Sequence, residues 1–105
     1  MPRDEPHGKR IFSYGEAVAL LPEVRQVTAE ARRRMEGLGP DPGARGEALI
    51  AEWAEALLAR GLEVKGLWLV DFDCGSGYYC WRYPEPSLQY FHSYEDGFQG
   101  RIPIQ

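Results

Sequence analysis

Asp71, Tyr79 and His92 bring a carboxylate, a phenol and an imidazole, each within a run of alternating apolar residues. An imidazole changes protonation near neutral pH, so it can act as a general base or ligate a metal. A carboxylate can orient that ring or hold a cation, and a phenol can donate a hydrogen bond. The three runs, 67–72, 78–83 and 88–94, have a period of two and are rich in aromatic residues, so they read as strands. Simple hairpins closing at 73–77 and 84–87 set Asp71 beside Tyr79 and Tyr79 beside His92. Leu69, Trp81 and Tyr90 share that face. Neighbouring strands lie about 4.8 Å apart. Asp71 and His92 are therefore expected to be held apart by the central strand, sharing Tyr79 or a ligand between them. Cys80 is expected on the opposite face with Tyr78, Arg82 and Phe91, as a small buried apolar residue. The whole arrangement depends on register, because a slip of one residue turns a side chain to the other face.

Familiar catalytic signatures are missing. Cys74 and Cys80 stand six apart, a spacing that fits no zinc-ligand pair, and no second Cys/His pair follows. Cys74-Gly75-Ser76-Gly77 reads as a hairpin turn rather than a phosphate loop, since no helix follows it and it has no lysine. Asp71-Phe72-Asp73 is half of a cation loop with no acid nearby to complete it. No residue is assigned a catalytic role, no cofactor is called for, and Asp71 and His92 are the only candidate metal ligands.

The elements that carry these residues are legible from caps and periods. Ser13 with Glu16 three residues on is a capping box that starts a helix. Pro22 either divides that helix into 14–20 and 22–37 or kinks it, because proline removes an intrahelical bond. Val24, Val27, Ala31 and Met35 form an apolar stripe at helical spacing. Gly and Pro break the chain over 37–43. A second helix over 44–60 carries Leu49, Ile50, Trp53 and Leu57 and stops at Gly61. The expected fold is α+β: an antiparallel helical hairpin packed on a three-stranded antiparallel meander. Residues 11–105 are read as one domain and 1–10 as a flexible tail.

Composition narrows the function. The chain has 105 residues and a net charge of −4, with a pI near 5.1. Residues 61–105 carry three cations (Lys65, Arg82, Arg101) against six acids, the wrong sign for a nucleic-acid surface. Arg32, Arg33 and Arg34 read as a solvated helix end. No apolar run is long enough to span a membrane. The start of the chain lacks an apolar leader, so a cytoplasmic protein with free thiols is expected. Ten arginines against two lysines, with no asparagine, are compatible with a thermophile.

Ten of the thirteen aromatics lie between Trp68 and Phe98. The leading reading is a protein-interaction or homo-oligomerisation module, its partner a second copy or another protein. The rival is a ligand- or metal-binding site, hydrolytic if it is catalytic, around Asp71, Tyr79 and His92.

Two sets of residues resemble a small prokaryotic family, the domain of unknown function 2203. The first is Phe12-Ser13-Tyr14-Gly15-Glu16-Ala17 with Leu20-Leu21-Pro22-Glu23-Val24-Arg25. The second is Val64-Lys65-Gly66, Leu69-Val70-Asp71-Phe72, Cys80-Trp81, Phe91-His92 and Gly97-Phe98-Gln99-Gly100-Arg101. The chain departs from the family pattern at Val18, Asp73 and Phe91. The resemblance implies no activity. It does place Asp71, Trp81, His92, Gly97 and Arg101 on the family's motif positions, so Trp81 and Arg101 join Asp71, Tyr79 and His92 as candidate ligand-binding residues.

Overall fold

The first helix begins where a capping box is spelled out. The Ser13 hydroxyl accepts from the Glu16 amide at 3.0 Å, and the Glu16 carboxylate accepts from the Ser13 amide at 2.9 Å. In the computed structural model, which describes residues 10–104, this helix (α1) runs Tyr14–Gly37 as one element with Pro22 inside it. It is not divided at Pro22. The proline lies on the exposed side, so the i−4 carbonyl that it leaves without a donor faces solvent rather than the core. The expected tail over 1–10 lies, except for Arg10, outside the described residues.

Helix α2 spans Gly43–Leu58. Gly61, with φ 88, ends it as expected. The Gly61 amide donates to the Leu58 carbonyl at 2.9 Å and the Leu62 amide to the Leu57 carbonyl at 3.1 Å, the paired bonds of a Schellman motif. The two helices are tied by a buried bond, Trp53 Nε1 to Thr28 Oγ1 at 2.9 Å. Among the described residues, no helix is long and apolar enough to cross a membrane.

Among the described residues, the sheet has five antiparallel strands in sequential order, not three. They are β1 (Glu63–Gly66), β2 (Leu69–Asp73), β3 (Tyr78–Arg82), β4 (Tyr90–His92) and β5 (Ile102–Pro103). Leu67 and Trp68, expected inside a strand, instead make the turn between β1 and β2, with Trp68 at φ 63. Few residues other than glycine adopt that conformation, at a cost of about 1–2 kcal/mol. Here the Trp68 ring packs edge-on against Trp53 at 4.8 Å. β5 contains Pro103, which donates no ladder bond and is tolerated because β5 is an edge.

Register is the main correction. Asp71 pairs with Cys80, and Phe72 with Tyr79. Tyr78 pairs with His92, and Tyr79 with Phe91. The β2–β3 loop is four residues, not five: the Cys74 amide donates to the Gly77 carbonyl at 2.9 Å, and Asp73 Oδ1 accepts from the Gly75 amide at 3.0 Å. Tyr79 and Trp81 therefore face the helices with Val70 and Phe72, joining a core that includes Phe12, Leu21, Val24 and Leu57. Leu69, Asp71, Asp73, Tyr78, Cys80, Tyr90 and His92 face the other way. That face is roofed by the segment 93–101. Tyr94 donates to Asp73 Oδ1 at 2.7 Å, and Arg101 stacks 3.9 Å from the Tyr90 ring and 4.1 Å from Phe98.

Thr28→Val removes the acceptor of the buried Trp53 N–H and should destabilise the fold by about 1–3 kcal/mol. Thr28→Ser keeps the acceptor and should lose less. Urea denaturation of both variants checks this.

Candidate functional site

Asp71 sits mid-strand on β2 and His92 at the end of β4, with β3 between them. Both are buried, at 0% and 3% exposed. Their side chains nevertheless meet, with His92 Nε2 2.9 Å from Asp71 Oδ2. They reach one another across the central strand because the residue there, Cys80, is small, and it is itself 0% exposed. The expectation that Tyr79 stands between Asp71 and His92 is overturned. Tyr79 lies on the helix side, 5.3 Å from the Tyr14 ring and 6.5 Å from Phe91. Cys80, expected on the opposite face, takes its place.

His92 Nδ1 lies 2.8 Å from the Ser93 carbonyl. A carbonyl oxygen can only accept, so Nδ1 carries a proton. Nε2 then faces a carboxylate oxygen, and a proton or another cation must lie between them. The second Asp71 oxygen, Oδ1, is buried and has no N–H or O–H donor, the Cys80 thiol being the hydrogen-bonding group beside the carboxylate. The Cys80 thiol is beside this carboxylate. Burial, with the Asp71 charge, pushes it up to about 12, while Arg101 pulls the other way. The thiol is therefore neutral at ordinary pH.

Lys65, on β1, supplies a cation that the sequence pattern did not reveal. Its Nζ is 3.2 Å from Asp71 Oδ2 and 3.6 Å from Glu63 Oε1, and it stands 4.0 Å over the Tyr78 ring. Burial alone would lower this ammonium group, but Asp71, Tyr78 and Glu63 outweigh burial and raise it. Tyr78 donates to Glu63 Oε1 at 3.0 Å. Burial and that bond raise its phenol. Tyr94 is pushed up to about 12, chiefly by its bond to Asp73.

A cavity of about 360 Å³ opens over the pair. The sheet lines it with Lys65, Leu69, Asp71 and His92, and the roof with Tyr94, Glu95, Asp96, Gly97 and Phe98. Its ionisable lining is mostly acidic. A slightly larger groove, about 390 Å³, lies between α1 and α2 over Val27, Ala31 and Trp53. It holds none of the buried titratable groups.

Of the candidate residues, Asp71 and His92 come together at this cavity. Trp81 does not join them. It is core, and its Nε1 donates to the Glu85 carbonyl at 2.9 Å. Arg101 reaches the same face beside the Cys80 thiol and forms an ion pair with Glu85 at 2.8 Å. Cys80 and Lys65 were missed. Cys80 follows once register is known, and Lys65 follows once 63–66 is recognised as a strand. Asp71, Cys80 and His92 also present one ligand atom each, all within 4.8 Å of one another, so they could hold a metal.

Alkaline pH should weaken the fold through Cys80. The thiol ionises near 9 when exposed and near 12 when folded. Its contribution is therefore complete below pH 9 and is lost as pH rises toward 12. Tyr78 and Tyr94 act in the same direction, from about 10 upward. Cys80→Ala should lose less stability than the parent between pH 8 and pH 11, as read by denaturant titration under reducing conditions.

A model of the family described as "Uncharacterized conserved protein (DUF2203)" matches residues 44–104. The match takes in nearly all of α2, all five strands, the pair and its roof. It begins after α1, so the stretch from Phe12 to Arg25 precedes it. No curated protein and no solved structure matches the chain significantly. With more than half of its length inside the match, the chain belongs to the DUF2203 family of uncharacterized conserved proteins.

Proposed function

We propose that this protein binds a small cationic ligand in the cavity over Asp71 and His92. One observation carries the reading: a buried carboxylate, one of whose oxygens has no N–H or O–H donor, borders open volume. Buried polar atoms are nearly always satisfied, and exceptions concentrate where a ligand or ion completes the set. The roof adds Glu95 and Asp96, so the lining attracts positive charge. Lys65 is the resident counter-charge, and its side chain is 37% exposed. It can therefore swing toward solvent when a ligand arrives.

The test is thermal denaturation with a panel of inorganic and organic cations at constant ionic strength. A ligand at a hundredfold excess over its Kd stabilises by about 2.7 kcal/mol. At least one cation should raise the Tm by several degrees, and Asp71→Asn should lose that response. A panel that moves the Tm no more than a salt control refutes the reading.

A second reading, self-association, is favoured by a separate observation. Tyr14, Tyr79, Phe91 and Ile102 form one row that ends at the edge strand β5. Ile102 is 57% exposed there. The exposed apolar end of that row is a patch that a second copy could cover. Light scattering should find a dimer that Ile102→Lys breaks. A monomer at high concentration contradicts it.

A further inference from the structure

We propose that the cation is a thiophilic divalent transition metal of the zinc type, held by Asp71, Cys80 and His92, with its open position on the cavity. This rests on the reading of that cavity as a cation site. It goes further in assigning Cys80 a role.

The three ligand atoms come from three neighbouring strands, β2, β3 and β4. They lie within 4.8 Å of one another, and all three residues are buried. In a tetrahedral site with metal–ligand lengths of about 2.0–2.3 Å, ligand atoms lie roughly 3.3–3.8 Å apart. Small side-chain rotations bring this set to that spacing. Adjacent strands hold it rigidly, as a preorganised site requires.

The donor set selects the metal. A thiolate, an imidazole and a carboxylate suit zinc and its neighbours, while calcium and magnesium take oxygen. The outer contacts agree. His92 Nδ1–H is engaged by the Ser93 carbonyl at 2.8 Å, which leaves Nε2 turned inward, the usual support of a ligating histidine. Nε2 and Asp71 Oδ2 need a proton or a metal ion between them, and Asp71 Oδ1 has no N–H or O–H donor. A divalent ion meets both demands.

The charges and protons balance. One thiolate, one carboxylate and one neutral imidazole offset two positive charges. On binding, the Cys80 thiol proton and the proton shared by Asp71 and His92 pass to solvent. Lys65 leaves Asp71, since the metal now supplies the positive charge.

The same residues do not form a nucleophilic triad. One ring nitrogen of His92 faces Asp71 and the other faces a carbonyl. Neither is free to take the Cys80 proton.

Cobalt(II) titration of chelator-treated full chain, monitored by absorption, tests the proposal. A thiolate-to-cobalt charge-transfer band should rise to one equivalent, with the strong visible bands of four-coordination, and zinc should displace it. Cys74→Ser should keep the band and Cys80→Ser should lose it, both with parental circular dichroism. His92→Gln should weaken binding at least tenfold, and Lys65→Met should tighten it. No charge-transfer band with folded parent protein overturns the proposal, and so does a band that survives Cys80→Ser. Should an organic cation raise the Tm while cobalt gives no band, the metal assignment fails and the cation site stands. Should neither respond, both fail.

Discussion

The contact on which the site depends is the 2.9 Å approach of His92 to Asp71 over Cys80. Two polar side chains from strands that are not neighbours can meet only if the strand between them offers a small residue. Everything beside the pair follows from removing it from water. A buried carboxylate needs compensation, and the fold surrounds this one with Lys65, a ring proton and a nearby thiol. Tyr78 and Glu63 hold Lys65 in place, and Arg101, paired with Glu85, lies beside the Cys80 thiol.

The sheet serves two masters through the alternation of β3. Tyr79 and Trp81 belong to the core, while Tyr78 and Cys80 belong to the site. The register that packs Trp81 against the helices is the register that sets Cys80 beneath the pair. Core packing thus fixes the site geometry, with no separate device needed. Gly77 contributes at the seam, because a Cβ there would lie 2.6 Å from the His92 carbonyl oxygen. Its absence lets the start of β3 come close against β4.

Much of this was legible in the sequence. Ser13 and Glu16 announce α1, and Gly61 announces the end of α2, because caps act locally. The aromatic runs announce β2, β3 and β4. β1 is obscured because Glu63, Lys65 and Gly66 leave Val64 as its one apolar residue, and β5 because it is two residues long and includes a proline. Register was the decisive loss. Tyr78 and Tyr79 are adjacent and chemically alike, so period alone cannot say which faces the helices. The Asp73 side chain settles it by capping Gly75 and shortening the loop. Asp71 and His92 were still placed on one face. The two one-residue errors, one in each hairpin, add to a shift of two between the outer strands: Asp71 lines up with Tyr90 rather than His92 but keeps its face, while the middle strand changes face.

The roof over the pair is built differently from its floor. The floor is a five-residue strand flanked on both sides, whereas the roof is irregular chain from Ser93 to Gly97, a single 3-10 turn at Phe98–Gly100 and the two-residue β5. Segments with so few ladder bonds open at far lower free energy than the sheet beneath them. Access to the buried pair can then be a matter of breathing: the roof lifts and closes while β2, β3 and the helices stay folded. The traffic of any bound species would be timed by that small local equilibrium rather than by the stability of the domain.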